Sequence, residues 1–216
     1  MREPIGIFGG TFDPIHFGHL RPALEVMEAL SLAEVRFVPN RLPPHRGLPQ
    51  VAAELRLEML RIALSQQPGF RVDDRELRRD GPSYTAETLV DLRHQVHADT
   101  PLCLIMGMDA FLGLPRWHRW RELFELAHLV VAQRPGAAPA YPDELAALLD
   151  GRCVTAGADL RSSPAGLVHL MSVTQLEISA TGLRNALASG RSGRFLVPEP
   201  VWRYIKKHGL YGSTEP

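Results

Sequence analysis

"GIFGGTFDPIHFGHLRPALE", residues 6–25, sets two glycines behind an apolar run and then two histidines three residues apart. Residues 4–8 are predicted to form a short buried strand, because Ile5, Ile7 and Phe8 are apolar and lie between punctuating residues. From Gly18 onward, Leu20, Ala23, Leu24, Met27 and Leu30 recur at helical spacing. Pro22 is expected in the first turn of that helix, where a missing N–H costs little. The stretch therefore reads as strand, tight loop and helix, with the helix opening beside His16 and His19.

That arrangement has a chemical meaning. In an open α/β sheet, ligands collect outside the carboxyl ends of the strands. Gly9 and Gly10 stand at such an end, where a residue without Cβ lets backbone come close to a ligand. The helix start offers free N–H groups and a positive dipole end, and His16 and His19 add two ring donors. Together they suit phosphate oxygens. Thr11 can add a hydroxyl, while Asp13 braces the turn or touches a metal indirectly. Alone, the histidine spacing would favour capping residues of a turn, with half a zinc site, lacking an obvious third ligand, as a further reading. The whole string from Gly9 to Leu20, set between strand and helix, favours the phosphate reading.

Strands and helices alternate through the rest of the chain. Residues 34–40, 70–74, 101–107, 128–134 and 167–171 carry strand patterns. Helices are expected at about 51–66, where Leu55, Met59, Ile62 and Ala63 share a face, and at about 84–97, 179–190 and 198–209. Residues 109–127 read as two helical pieces around a proline, and "PDELAALLD" (142–150) as a short helix. Such alternation argues for a Rossmann-like, doubly wound parallel sheet with helices on both faces. No composition break separates a second unit, so residues 1–216 are expected to form a single α/β domain.

Composition limits the partners. Of 216 residues, 45% are hydrophobic and 22% charged, enough for a sizeable core. Lysine plus arginine number 24 and aspartate plus glutamate number 24, so no global field draws nucleic acid or an anionic membrane. Any anion site must be local. Two cysteines make a disulfide scaffold a poor expectation, and no apolar run of about 18 residues suggests a membrane span. No leader-like pattern opens the chain. A cytoplasmic protein is expected, with homo-oligomer formation left open.

A second motif, "EISATGLRNAL" (177–187), repeats the anion logic. Ser179 and Thr181 suit a helix cap, and Arg184 follows one turn later on the same end. A plain capped helix with a solvated arginine has the same pattern. Beside the first motif, it implies a polyphosphate held between two helix N-termini.

"GGTFDPIHFGHL" with "ISATGLR" resembles the nucleotidyltransferase superfamily marked by paired-histidine and I-S-[SA]-T-x-x-R motifs. More narrowly, "PPHR" (43–46), "GPSYTAETL" (81–89), "GMDAFLGLPRWHRW" (107–120) and "VPEPVWRYIKKHGLY" (198–211) make the chain similar to bacterial nicotinate mononucleotide adenylyltransferases, end to end. The resemblance implies transfer of AMP from ATP to nicotinate mononucleotide, releasing pyrophosphate and making nicotinate adenine dinucleotide for NAD biosynthesis. It implies Mg²⁺ held by ATP phosphates and water, with no resident metal ligands on the protein. It also implies direct attack without a covalent intermediate. A phosphate monoester is already mostly dianionic at neutral pH, so no general base is needed.

Carried over residue by residue, the resemblance implies that His16, His19 and Arg184 act in catalysis. Gly9, Gly10, Thr11, Arg46, Gly107, Asp109, Ile178, Ser179 and Thr181 join them around ATP, with the helical portion at about 179–209 completing that site. Tyr84, Thr85, Asp109, Trp117 and Arg134 are expected around the acceptor. Trp117 would stack on the nicotinate ring, and the helix start at Tyr84-Thr85 would receive its carboxylate. Arg46 stands where lysine is commoner, and Ala180 where a second serine is. Trp120 is open to a core role, and His94 and His97 are expected on a solvated face. Sibling enzymes with another acceptor, such as phosphopantetheine or a sugar or glycerol phosphate, share the first motifs. A non-catalytic nucleotide-binding module on the same fold is the remaining alternative.

Overall fold

The computed structural model describes residues 2–42, 47–134, 136 and 140–213. Its strands are β1 (Ile5–Gly10), β2 (Glu34–Pro39), β3 (Phe70–Val72), β4 (Leu102–Gly107), β5 (His128–Gln133), β6 (Cys153–Val154) and β7 (Val168–Ser172). They form one sheet in the order β3-β2-β1-β4-β5-β7-β6, with every neighbouring pair parallel. The helices are α1 (Phe17–Ala29), α2 (Ala53–Leu64), α3 (Arg75–Arg78), α4 (Thr85–Gln95), α5 (Met108–Leu112), α6 (Leu123–Leu126), α7 (Asp143–Leu149), α8 (Ala180–Ala188) and α9 (Glu199–Lys207). None is long and apolar enough to cross a membrane.

Strand alternation divides the core into two. On β5, Val130 and Ala132 face one layer while Leu129 and Val131 face the other. The first layer receives Val26 of α1, Met59 of α2, Leu183 of α8 and Ile205 of α9. The second receives Leu89 of α4, Phe111 of α5, Phe124 of α6 and Leu145 of α7. Helices thus cover both faces, as β4 and β5, apolar along nearly their whole length, require. The sheet, the single α/β domain and its helical layers agree with the expectation.

The strand order reverses between β1 and β4, because the chain builds outward through β2 and β3 before returning to the other side of β1. The carboxyl ends of these two strands, Gly9-Gly10 and Gly107, therefore flank the crevice of the fold.

Several local readings shift. β1 runs through both glycines instead of stopping at Phe8, pairing Gly9 with Val38 and Gly10 with Pro39. α1 begins at Phe17, so Pro22 is its sixth residue and lies beyond the first turn. On α2 the buried positions are Arg56, Met59, Leu60 and Leu64; Leu55, Ile62 and Ala63 are only partly covered. Arg56 goes inside because Nε donates to the Val51 carbonyl at 3.2 Å, Nη1 to that of Thr11 at 2.6 Å and Nη2 to that of Asn40 at 2.9 Å. β6 has no counterpart among the expected strands, because a strand of two residues carries no readable period. Cys103 is buried and Cys153 exposed, both as free thiols; burial pushes the Cys103 thiol up to about 12.

Candidate active site

The loop from β1 to α1 is built around backbone geometry. Phe12 takes a left-handed φ of 48° and lays its ring against Gly10, where a Cβ would approach ring atoms to 2.8 Å. At Gly9 a Cβ would meet nothing within 4 Å, so that position opens on the crevice. The Thr11 hydroxyl oxygen accepts from Nδ2 of Asn40 at 3.3 Å, tying the loop to the end of β2.

His16 is the N-cap of α1, and His19 is the third residue of the helix. The His16 backbone N–H donates to Nδ1 of His19 at 3.4 Å, and the two rings stack with centroids 3.7 Å apart. His16 is buried, and its own Nδ1 has no hydrogen-bond partner among the described residues. Burial pushes its pKa down to about 4. At neutral pH it is therefore a neutral imidazole, a hydrogen-bonding group rather than a charge.

The second motif closes against the first. Ser179 is the N-cap of α8, its hydroxyl accepting from the Gly182 N–H at 3.0 Å. Arg184 reaches back, Nη1 donating to the Asp13 carbonyl at 2.7 Å and Nη2 to Thr181 Oγ1 at 3.2 Å. A Cβ on Gly18 would stand 2.9 Å from the Ile178 carbonyl oxygen. Only glycine lets the start of α1 lie so close to the start of the second motif. The Phe17 N–H donates to the Leu196 carbonyl at 3.1 Å, adding the segment before α9. His16, His19, Ile178, Ser179, Thr181 and Arg184 thus gather where α1 and α8 begin.

Across the switch point, Gly107 caps α5 and Asp109 lies in its first turn. α4 begins at Thr85 with Tyr84 as N-cap and no side-chain cap on its amides. The Tyr84 ring lies on that of His118, centroids 4.3 Å apart, which brings the start of α4 beside the Trp117 loop. His118 reaches Tyr84 across more than 30 residues, and such a contact leaves no local signal in the sequence. Trp117 is half-buried against the second core layer, and Trp120 is a core residue. Arg134 leaves the end of β5 and pairs with Glu177 at 3.2 Å and Gln175 at 3.1 Å, beside the second motif. Arg46 lies outside the described residues. His94 and His97 are exposed, as expected.

Residues 7–186 match the cytidylyltransferase-like family. The chain is 54% identical over 211 residues to a probable nicotinate-nucleotide adenylyltransferase of Aeromonas hydrophila, covering 98% of each chain. With the corresponding protein of Halorhodospira halophila it shares 53% over 218 residues, spanning 100% of both. Among solved structures, the Plasmodium falciparum nicotinic acid mononucleotide adenylyltransferase complexed with NaAD superposes with a TM-score of 0.75, covering 99% of each chain at 16% identity. At that identity the likeness speaks to the fold alone.

Proposed function

The chain belongs to the nicotinate-nucleotide adenylyltransferase family, within the cytidylyltransferase-like group, and we propose on that premise that it joins AMP from ATP to the phosphate of nicotinate mononucleotide. The products are nicotinate adenine dinucleotide and pyrophosphate. One observation carries the assignment of the reacting centre: Arg184 of α8 donates to the Asp13 carbonyl in the loop before α1, so two helix N-termini and a guanidinium converge on one crevice.

In this reading the α-phosphate lies over Gly9, Gly10 and Thr11 and accepts hydrogen bonds from His16 and His19. The β- and γ-phosphates lie against Arg184, Ser179 and Thr181, with Ile178 lining the approach. Gly107 and Asp109 meet ribose hydroxyls at the carboxyl end of β4. Tyr84 and Thr85, at the uncapped start of α4, receive the nicotinate carboxylate, and Trp117 stacks on the ring. Arg46 is assigned to the ATP phosphates and Arg134 to the acceptor phosphate, which would draw Arg134 from Glu177. The acceptor phosphate attacks in line, and the protein aligns two anions and stabilises charge on the departing group.

Nucleotidyltransfer from ATP uses a divalent metal, assigned here as Mg²⁺. The donor set fits an ion carried by the nucleotide: the crevice presents N–H groups and a guanidinium, and the Asp13 carboxylate already accepts from Tyr211 and Gln50. Bound there, Mg²⁺ would neutralise charge on the leaving pyrophosphate. A cytoplasmic location belongs to the same reading, since both cysteines are free and ATP is drawn from the cytosol.

The test is pyrophosphate release from ATP and Mg²⁺ with nicotinate mononucleotide, its amide or phosphopantetheine offered separately. Strong release with the nicotinate form alone is expected. Release with phosphopantetheine alone keeps the transfer chemistry and overturns the acceptor; silence with all three overturns the enzyme assignment.

A further inference from the structure

Asp13 is buried in the loop before α1, yet both its carboxylate oxygens are engaged. Oδ1 accepts from the Tyr211 hydroxyl at 2.7 Å, and Oδ2 from the Gln50 backbone N–H at 2.7 Å. Nη1 of Arg184, which donates to the Asp13 carbonyl, stops 4.0 Å from Oδ2. An ordinary guanidinium–carboxylate hydrogen bond is about 2.7–2.9 Å long. The cation at the crevice is thus hydrogen-bonded to the Asp13 backbone and meets its carboxylate only as a loose ion pair, without a hydrogen bond.

Tyr211 comes from the last turn of the described chain, Leu210–Gly212, 198 positions from its partner. Its φ is 57°, and that of Phe12, next to Asp13, is 48°. Bulky residues in the left-handed region persist where their surroundings over-determine them. Burial and the adjoining carboxylate push the Tyr211 phenol far above its ordinary pKa, so its hydroxyl remains a donor.

We propose that Tyr211 is a positioning residue: its hydroxyl holds the Asp13 carboxylate turned from Arg184, leaving that guanidinium to the β- and γ-phosphates of ATP. The proposal rests on the reading of Arg184 given above. Without the hydroxyl, a buried carboxylate oxygen loses its donor. Arg56 is committed to three carbonyls, so Arg184, already 4.0 Å from Oδ2, is the guanidinium placed to turn toward it. Asp13 then competes with ATP for one cation, while the acceptor site, built on α4 and the Trp117 loop, is untouched.

The experiment compares wild-type protein with Tyr211→Phe, reading pyrophosphate binding by calorimetry, both KM values and the thermal midpoint. The variant should fold, bind pyrophosphate about tenfold more weakly and raise the KM for ATP by a similar factor, with the KM for nicotinate mononucleotide unchanged. Combined with Arg184→Lys, its loss should fall well short of the product of the single losses, because both act on one interaction. Ser213→Ala, which removes a hydrogen bond to the Ile205 carbonyl in the same segment, should lower the midpoint and leave the KM for ATP alone. An unchanged KM for ATP, equal rises in both KM values, multiplicative losses, or a Tyr211→Phe variant that does not fold would each overturn the link. Wild-type binding is read first. Its absence would overturn the polyphosphate reading and the link together, whereas binding that Tyr211→Phe leaves intact overturns the link alone.

Discussion

The imidazoles of His16 and His19 lie ring over ring, 3.7 Å between centroids and 28° between planes. Two protonated rings at that separation would repel strongly, and burial already holds His16 neutral. In the proposed reaction the pair would therefore act through aimed N–H donors on the reacting phosphate. His19→Ala is expected to cut kcat by about 10²–10³, the usual cost of one transition-state donor, with an unchanged circular dichroism spectrum. Near-normal turnover would remove the role.

Acid sensitivity has a definite sign. Between pH 6.5 and about 4 the unfolded chain takes a proton on His16 that the folded chain refuses. Stability therefore rises with pH across that window and is lost as pH falls through it, by about 3 kcal/mol in full. His128, pushed down by burial, adds to the loss; Glu76, pushed up by burial, opposes it. Urea unfolding of wild type and His16→Asn at pH 7 and pH 4.5 isolates the His16 share. Equal losses in both proteins would show that another group governs the limb.

Gly18→Ala puts a methyl 2.9 Å from the Ile178 carbonyl, a backbone atom that cannot swing aside. The starts of α1 and α8 must then part. kcat/KM for ATP should fall at least about tenfold, while overpacking costs about 1–3 kcal/mol of stability. Wild-type kinetics in this variant would mean that the approach of the two helix starts is irrelevant to ATP.

Trp117→Ala removes the proposed stacking face but nothing from the crevice between α1 and α8. The KM for nicotinate mononucleotide should rise by about tenfold, as loss of one aromatic stacking contact implies, with the KM for ATP nearly unchanged. Parallel increases in both would assign Trp117 to packing.

Arg56→Met keeps the volume and strips donors from the carbonyls of Thr11, Asn40 and Val51. A destabilisation of about 3–5 kcal/mol is expected, from hydrogen bonds to a charged group lost in the interior. Denaturant titration measures it; a cost under about 1 kcal/mol would imply that water replaces the guanidinium without penalty.

The legible part of the molecule is local. A glycine pair after an apolar run, a helix period beginning beside His16 and hydroxyls before Arg184 each lie within a few residues, and hydrophobic period separates strand from helix over that range. The face of α2 is legible only in part for the same reason: its apolar stripe does pack on the first core layer. Leu55, Met59, Ile62 and Ala63 satisfy a helical stripe, and nothing nearby announces that Arg56 will find three carbonyls inside. β6 is two residues long and leaves no period to read.

What the sequence by itself determined is the alternation of strand and helix, and with it the parallel sheet, together with the two motifs that mark the family. What only the tertiary structure decided is how those motifs meet. Arg184 stands on the Asp13 carbonyl, Tyr211 holds the Asp13 carboxylate across 198 positions, and His118 lies on Tyr84. Secondary structure follows from periods of two to four residues, which any short window contains. A hydrogen bond between distant side chains depends on the path of the whole chain, and no window holds it.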